Sequence, residues 1–345
     1  MFVRVGLQRR KLVEGECSER IRSDLIALAL IFDFINGFHD TANAIATSVS
    51  TRVLTPKVAI FMAAILNMVG ALSGTAVAKT VGAGLVQAVS VTQVTIISAL
   101  VAAIMWDLIT WYLGLPTSSS HAILSGIVGA AIATSGFGVI ITKGVYKVLI
   151  GLIFSPLIGF IMIITLMSFI LWLVKNSTPT LVNNVFGRLQ ILSAAYMAFS
   201  HGGNDAQKTM GIITMALVSY YHLPDFNVPI WVIVMCATAM AFGTAAGGWR
   251  IIKTLGMRLV SLRPINGFAA ETAAATVIEV ASRIGLPLST THVISSTIMG
   301  VGASKRFSAV RWGIGGNIVL AWIITLPACT VLAWLICKGL NLIFG

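Results

Sequence analysis

The chain has 345 residues, 57 % hydrophobic and 10 % charged, with 23 Lys and Arg against 11 Asp and Glu. Soluble domains carry about 25 % charged residues, so a soluble enzyme, a disordered chain and a secreted disulfide scaffold are excluded, and a polytopic helical membrane protein remains. The net charge of +12 then reads as Lys and Arg gathered in loops facing cytoplasm and anionic lipid, with no nucleic-acid partner.

Residues 1–23 form a basic arm with Arg4, Arg9, Arg10, Lys11, Arg20 and Arg22 and no long apolar core, so a signal peptide is not expected. Apolar segments follow at 24–48, 57–78, 90–113, 119–141, 146–174, 188–219, 228–247, 268–284, 290–303 and 309–338. The intervals 175–187 and 249–267 are the clearest polar breaks. The second carries Arg250, Lys253, Arg258 and Arg263 with no acid and reads as a cytoplasmic loop, which puts both termini outside. Of Cys17, Cys236, Cys329 and Cys337, none has paired or metal-ligand spacing, and the last three read as small hydrophobes in apolar runs.

Two motifs recur in the same order. Gly114-Leu115-Pro116-Thr117-Ser118-Ser119-Ser120-His121 returns 171 residues later as Gly285-Leu286-Pro287-Leu288-Ser289-Thr290-Thr291-His292. Gly37-Phe38-His39-Asp40-Thr41-Ala42-Asn43 returns 165 residues later as Gly202-Gly203-Asn204-Asp205-Ala206-Gln207-Lys208. The chain therefore reads as two homologous halves, 24–174 and 188–345, joined by a linker at 175–187. Each half holds five segments, and an odd number turns the second upside down. The expected fold is all-α, an inverted-topology repeat with broken helices and re-entrant or hairpin Gly-Leu-Pro elements.

Six acids lie inside apolar segments: Asp33, Asp40, Asp107, Asp205, Glu271 and Glu279. An acid at mid-membrane costs about 2.5–3.5 kcal/mol on the milder insertion scale, so such residues are paired, solvated in a cavity or functional. Asp40 and Asp205 occupy equivalent repeat positions among glycines and polar side chains. That composition predicts a broken helix whose carbonyl, carboxylate and amide oxygens suit a small cation.

In the Gly-Leu-Pro elements a proline at the first helical position and the following hydroxyls predict a helix N-terminus presenting N–H and O–H groups to a tetrahedral oxyanion. Two copies meeting at the midplane would surround one anion. His121 and His292 read as structural. His39 and His201 sit at the expected breaks in non-equivalent positions, and either could carry a proton. No P-loop, CxxC pair or HExxH motif is present. No enzyme and no organic cofactor is expected, and a Ser-His-acid hydrolase has no fixed geometry to support it. The residues alone leave open a symporter, an anion channel, and a carrier of another oxyanion such as sulfate.

The motifs resemble those of the inorganic phosphate transporter (PiT) family, whose GANDVANA-like signature is matched by Gly37–Ala44 and by Gly203–Lys208, and whose GLP-x-S-[ST]-[ST]-H elements are matched twice. The resemblance runs from about residue 24 to 340. It implies cation-coupled uptake of inorganic phosphate, with or without a carried metal ion, in a multi-pass cell membrane protein that forms a homodimer. On this resemblance Thr117, Ser118, Ser119, Ser120, Ser289, Thr290, Thr291, Gln207 and Lys208 would bind phosphate. Asp40, Asn43, Asn204, Asp205 and His39 would handle the coupling Na⁺ or H⁺, with Asp40, Asn43 and Asp205 as metal ligands if the ion is sodium. His39 and Lys208 stand where the family pattern has Asn, an asymmetry similar to the bacterial low-affinity branch, usually described as proton-coupled. Lys208 could replace one sodium, bind phosphate as a point charge, or pair with Asp205.

Overall fold

A computed structural model describes residues 23–87, 91–221 and 223–344, and each apolar segment anticipated above carries helix in it. The basic arm, apart from its last residue, and Cys17 lie outside the described residues. In chain order the helices are α1 (23–39), α2 (Thr41–Ser50), α3 (Pro56–Ala71), α4 (Ala76–Gly84), α5 (Gln93–Leu113), α6 (Ser119–Ser135), α7 (Thr142–Leu173), α8 (Pro179–Tyr221), α9 (Ile230–Ala246), α10 (Trp249–Lys253, continued by a π turn Thr254–Arg258), α11 (Pro264–Arg283), α12 (Thr290–Lys305) and α13 (Trp312–Phe344). Among the described residues four spans are long and apolar enough to cross a membrane, or six if each bent pair counts as one.

The breaks fall elsewhere than the motifs suggested. α3 and α4 meet at 67°, and α9 meets the α10 segment at 60°. Leu72-Ser73-Gly74-Thr75 separates the first pair and Gly247-Gly248, with Gly247 at φ 74°, the second. By contrast, α1 and α2 are parted only by Asp40, at φ −94° and ψ 4°, and the helical bonds Asp40 N–H to Asn36 O (2.8 Å) and Asn43 N–H to Asp40 O (2.9 Å) persist. α8 runs unbroken through Gly202–Lys208. It also begins at Pro179, inside the interval 175–187 read as a linker. The polar side chains of 201–208 find partners across the helix packing, so the backbone has no need to unwind, and the glycines serve close approach instead.

That approach is reciprocal. A Cβ on Gly202 would overlap Asn67 O and one on Gly70 would overlap Phe199 O, so α8 and α3 touch backbone to backbone. A Cβ on Gly37 would strike Met240 O (2.5 Å) and one on Gly243 would overlap Phe34 O, so α1 and α9 do the same. Other features recur too. Thr80 Oγ1 donates to Gly285 O (2.7 Å) as Thr254 Oγ1 donates to Gly114 O (2.8 Å). Antiparallel bridges join Val86 to Ile140 and Val260 to Val310, and Pro156 and Pro327 lie inside α7 and α13.

The two sequence halves are not two bodies. α7 packs on α11 and α12, whereas α13 packs on α5 and α6, so each half lends its last helix to the other. Both hydrophobic clusters mix the halves, one joining Leu100 and Ile127 to Met210 and Cys329, the other Ile45 and Met167 to Leu255 and Ile298. Cys236, Cys329 and Cys337 are buried and unbridged. Of the most apolar stretch of α7 only 25 % is buried, and of α13 33 %, against 61 % for residues 23–50. The outer faces of α7 and α13 are therefore largely exposed apolar surface, of the kind that suits lipid, and the α1–α2 and α8 helices line the interior.

Candidate functional site

Both Gly-Leu-Pro elements are built alike. Gly114 and Gly285, each at φ 67°, end α5 and α11 in the left-handed conformation that glycine adopts without a Cβ clash. Leu115 N–H returns to Thr110 O (2.9 Å) and Leu286 N–H to Ala281 O (2.9 Å), closing each turn. The chain then passes extended through the proline, which lies upstream of the helix and not at its first position. Ser118 and Ser289 are the N-caps, accepting from His121 and His292 N–H at 3.2 Å. One hydroxyl of each triplet thus serves its own helix.

The N-termini of α6 and α12 abut. Ser120 Oγ donates to Leu288 O (3.2 Å), and the His121 and His292 rings lie 4.4 Å apart, with His292 stacked on Trp322 at 4.0 Å. At 17 and 16 residues these helices reach about 25 Å, short of a hydrocarbon core of about 30 Å. Each N-terminus carries about half a positive charge, so their meeting is favourable only where negative charge joins them. The α1–α2 junction and the middle of α8 bring it. Thr291 Oγ1 donates to Asp40 Oδ2 (3.1 Å) and Thr290 Oγ1 to Asp205 Oδ2 (3.0 Å). Asn43 Nδ2 donates to Thr291 Oγ1 (2.9 Å). The Lys208 ammonium bridges Asp205 Oδ1 and Ser120 Oγ. Each carboxylate also has an imidazole: His39 Nδ1 lies 2.6 Å from Asp40 Oδ1 and His201 Nε2 lies 3.1 Å from Asp205 Oδ2. Ligand atoms of Asp40, His201 and Asp205 all fall within 4.8 Å of one another.

The sequence matches the phosphate transporter family (PHO4) over residues 36–333. The chain belongs to the phosphate transporter family. It is 50 % identical over 323 residues to a probable low-affinity inorganic phosphate transporter of Bacillus subtilis, covering 93 % of this chain and 97 % of that one. It is 48 % identical over 311 residues to a protein so named from Rhizobium meliloti, covering 90 % and 93 %. Its fold matches a solved structure, "The sodium-dependent phosphate transporter", with a TM-score of 0.87 at 24 % identity over 94 % of this chain and all of that one. The role these names give is transport, a non-enzymatic one.

Within this transporter the residues singled out from the sequence divide. Asp40, Asn43, His39, Asp205, Lys208, Ser120, Thr290 and Thr291 converge, all buried. Thr117 is one step removed: its Oγ1 donates to Thr110 Oγ1 (2.8 Å), which lies 3.2 Å from His39 Nε2. Ser119 neighbours Asp107. Asn204 and Gln207 turn away. Asn204 Nδ2 donates to Ser282 Oγ (2.8 Å), while Gln207 accepts from Val77 N–H (2.8 Å) and donates to Gly203 O. His201, read from the sequence as a possible proton carrier, joins the cluster, whereas Thr110 and Asn67, whose Oδ1 lies 3.1 Å from His201 Nδ1, were not singled out. The i, i+4 spacing of His201 and Asp205 puts them on one helix face and was the available signal for their pairing. Asp33, Asp40, Asp107, Asp205 and Glu271 are buried. Glu279 instead pairs with the exposed Arg283 at 2.8 Å. Among the described residues Lys208 is the one buried Lys or Arg.

Proposed function

We propose that this chain is a cation-coupled phosphate symporter working by alternating access, its phosphate held between the abutting ends of α6 and α12 by Ser120, Thr290, Thr291 and Lys208. Asp40, Asn43 and Asp205, with His39 and His201, hold the coupling Na⁺ or H⁺. The observation that carries this reading is the charge balance. Among the described residues five carboxyl groups are buried against one buried ammonium, which pairs with Asp205, and a phosphate entering beside Asp40 and Asp205 adds negative charge. Close like charges in a low-dielectric interior repel strongly, so the anion and a cation or proton enter together. A simple anion channel has no use for such acids.

Two features bear on the ion. The amide oxygens of Asn36, Asn43 and Asn204 are buried and accept no hydrogen bond among the described residues, which favours a metal cation with hard oxygen ligands. The two carboxylate–imidazole pairs favour a proton. The solved protein whose fold this chain matches is named sodium-dependent. We read the two halves as inverted in the membrane and their rocking as the alternation of access, in a homodimer whose second copy sits on a lipid-facing surface.

The test is uptake of labelled phosphate into proteoliposomes under imposed Na⁺ and H⁺ gradients, applied separately, with sulfate and arsenate as competitors. Uphill accumulation driven by one gradient, competed by arsenate more than sulfate, is expected. Downhill flux only, indifferent to both gradients, would identify a channel.

A further inference from the structure

Away from the buried cluster, the corner between the end of α12 and the start of α11 holds a cavity of about 560 Å³ lined by Arg263, Lys305, Arg306 and Arg311 together with Val260 and Ser308. No acid lines it, and the sequence has none in 226–270 or 280–345. The cations are built in. Lys305 Nζ donates to Asn266 Oδ1 (2.8 Å), which also accepts from Arg263 N–H (3.1 Å), and Arg311 Nη1 donates to Arg258 O (3.1 Å). Partial burial, and then the Arg263 guanidinium, depress the pKa of Lys305, at the solvent end of α12. Among the described residues lining this corner, like charges crowd without an acid between them.

The other half shows that the fold does not demand these charges. There Thr92, Thr95 and Thr134 take the places of Arg263, Asn266 and Lys305, with Thr92 N–H donating to Thr95 Oγ1 (3.3 Å) and Thr95 Oγ1 bonded to Thr134 Oγ1 (2.8 Å). The backbone bonds of this corner repeat as well. Ile141 N–H donates to Leu85 O (2.9 Å) where Arg311 N–H donates to Leu259 O (3.1 Å), and Gly136 ends α6 where Arg306 ends α12. The same corner is made twice, once from hydroxyls, glycine and isoleucine and once from four cations. At the rim of the basic copy Phe307, 69 % exposed, stacks on Trp312 at 4.4 Å, and Trp312 Nε1 donates to Phe307 O (2.8 Å). Exposed aromatic side chains of this kind sit at headgroup level in membranes.

We propose that this corner is a second anion site, on the cytoplasmic face, that takes a phosphate group carried on an anionic phospholipid headgroup or present as free inorganic phosphate. Guanidinium groups bind phosphate oxygens through paired N–H donors, and the aromatic rim suits the adjoining acyl region. The site does not depend on how the buried cluster couples its ion.

The test compares the purified full chain with the double variant Arg306→Gln/Arg311→Gln, both positions being exposed, and with a control of equal charge loss, Lys57→Gln/Lys175→Gln, at exposed positions elsewhere. Native mass spectrometry reads the lipid adducts with dioleoyl phosphatidylglycerol and with zwitterionic dioleoyl phosphatidylcholine. At least a five-fold preference for phosphatidylglycerol is expected in the wild type and the control, and none in R306Q/R311Q with its helical circular dichroism intact. Added inorganic phosphate separates the sources. If it displaces phosphatidylglycerol but not phosphatidylcholine, the site accepts the free anion as well; if it displaces neither, the headgroup alone is the ligand. A preference equal in R306Q/R311Q and wild type, or lost equally in the control, overturns the proposal.

Discussion

Asp40 and Asp205 occupy matching places in the two halves, yet their surroundings differ in one decisive way. Three residues on from Asp40 stands Asn43, neutral, donating to Thr291. Three residues on from Asp205 stands Lys208, charged, spanning Asp205 and Ser120. One half leaves its carboxylate to a hydroxyl and an imidazole, with the neutral amide behind the hydroxyl; the other adds a fixed ammonium to the same pair. A repeat that folds the same way twice has been charged differently at each copy. On this account the first half exchanges its cation during transport, while the second keeps its own.

Removing the ammonium breaks this contrast most severely. Lys208→Ala leaves Asp205 buried without its ion pair, a loss of about 3–5 kcal/mol for such pairs, and phosphate uptake is expected to fall by two orders of magnitude or more. The double variant Asp205→Asn/Lys208→Gln should unfold at a higher temperature than Lys208→Ala, because no uncompensated charge remains. Thermal unfolding in detergent checks this, and equal midpoints would mean that the pair is not coupled.

The packing side of the comparison predicts likeness where the site predicts difference. Gly70→Ala and Gly243→Ala each drive a methyl into a backbone carbonyl of the other half, Phe199 O and Phe34 O. Overpacking of this sort costs about 1–3 kcal/mol or more, and the two variants should lower the unfolding temperature by similar amounts. Next come the caps. Ser118→Ala and Ser289→Ala should each cost about 1 kcal/mol, again alike in the two halves.

The smallest effect is expected at Gln207→Ala. Its amide is bonded to Val77 N–H and Gly203 O, away from the hydroxyls of α6 and α12, so the apparent affinity for phosphate should change less than about three-fold. A ten-fold rise in KM for phosphate would place Gln207 back among the ligands.

The ten apolar segments were legible because long hydrophobic runs leave few alternatives to a helix. Asp40, Asp205 and the hydroxyl triplets were legible because a motif repeated at a near-constant offset points to the same place twice. The breaks were misplaced because polar residues inside an apolar run were read as unwinding the backbone. His201, Asp205 and Lys208 instead satisfy one another and Thr290 across an intact α8, and the real bends fall at Ser73-Gly74 and Gly247-Gly248, where the backbone itself is weak. Pro116 and Pro287 were read as helix starts, but Ser118 and Ser289 make a better cap two residues later. The exchange of α7 and α13 between halves had no local signal, since the sequence names apolar faces and not their partners.

In the proposed cycle Asp40 carries the exchangeable side of the coupling. Its most direct test is labelled phosphate in proteoliposomes holding wild type or Asp40→Asn, read both as uphill accumulation under an imposed Na⁺ or H⁺ gradient and as phosphate–phosphate exchange at equal concentrations. The variant is expected to lose accumulation by ten-fold or more and to keep at least a third of the exchange. Accumulation in Asp40→Asn with the wild-type dependence on the cation gradient would contradict that role.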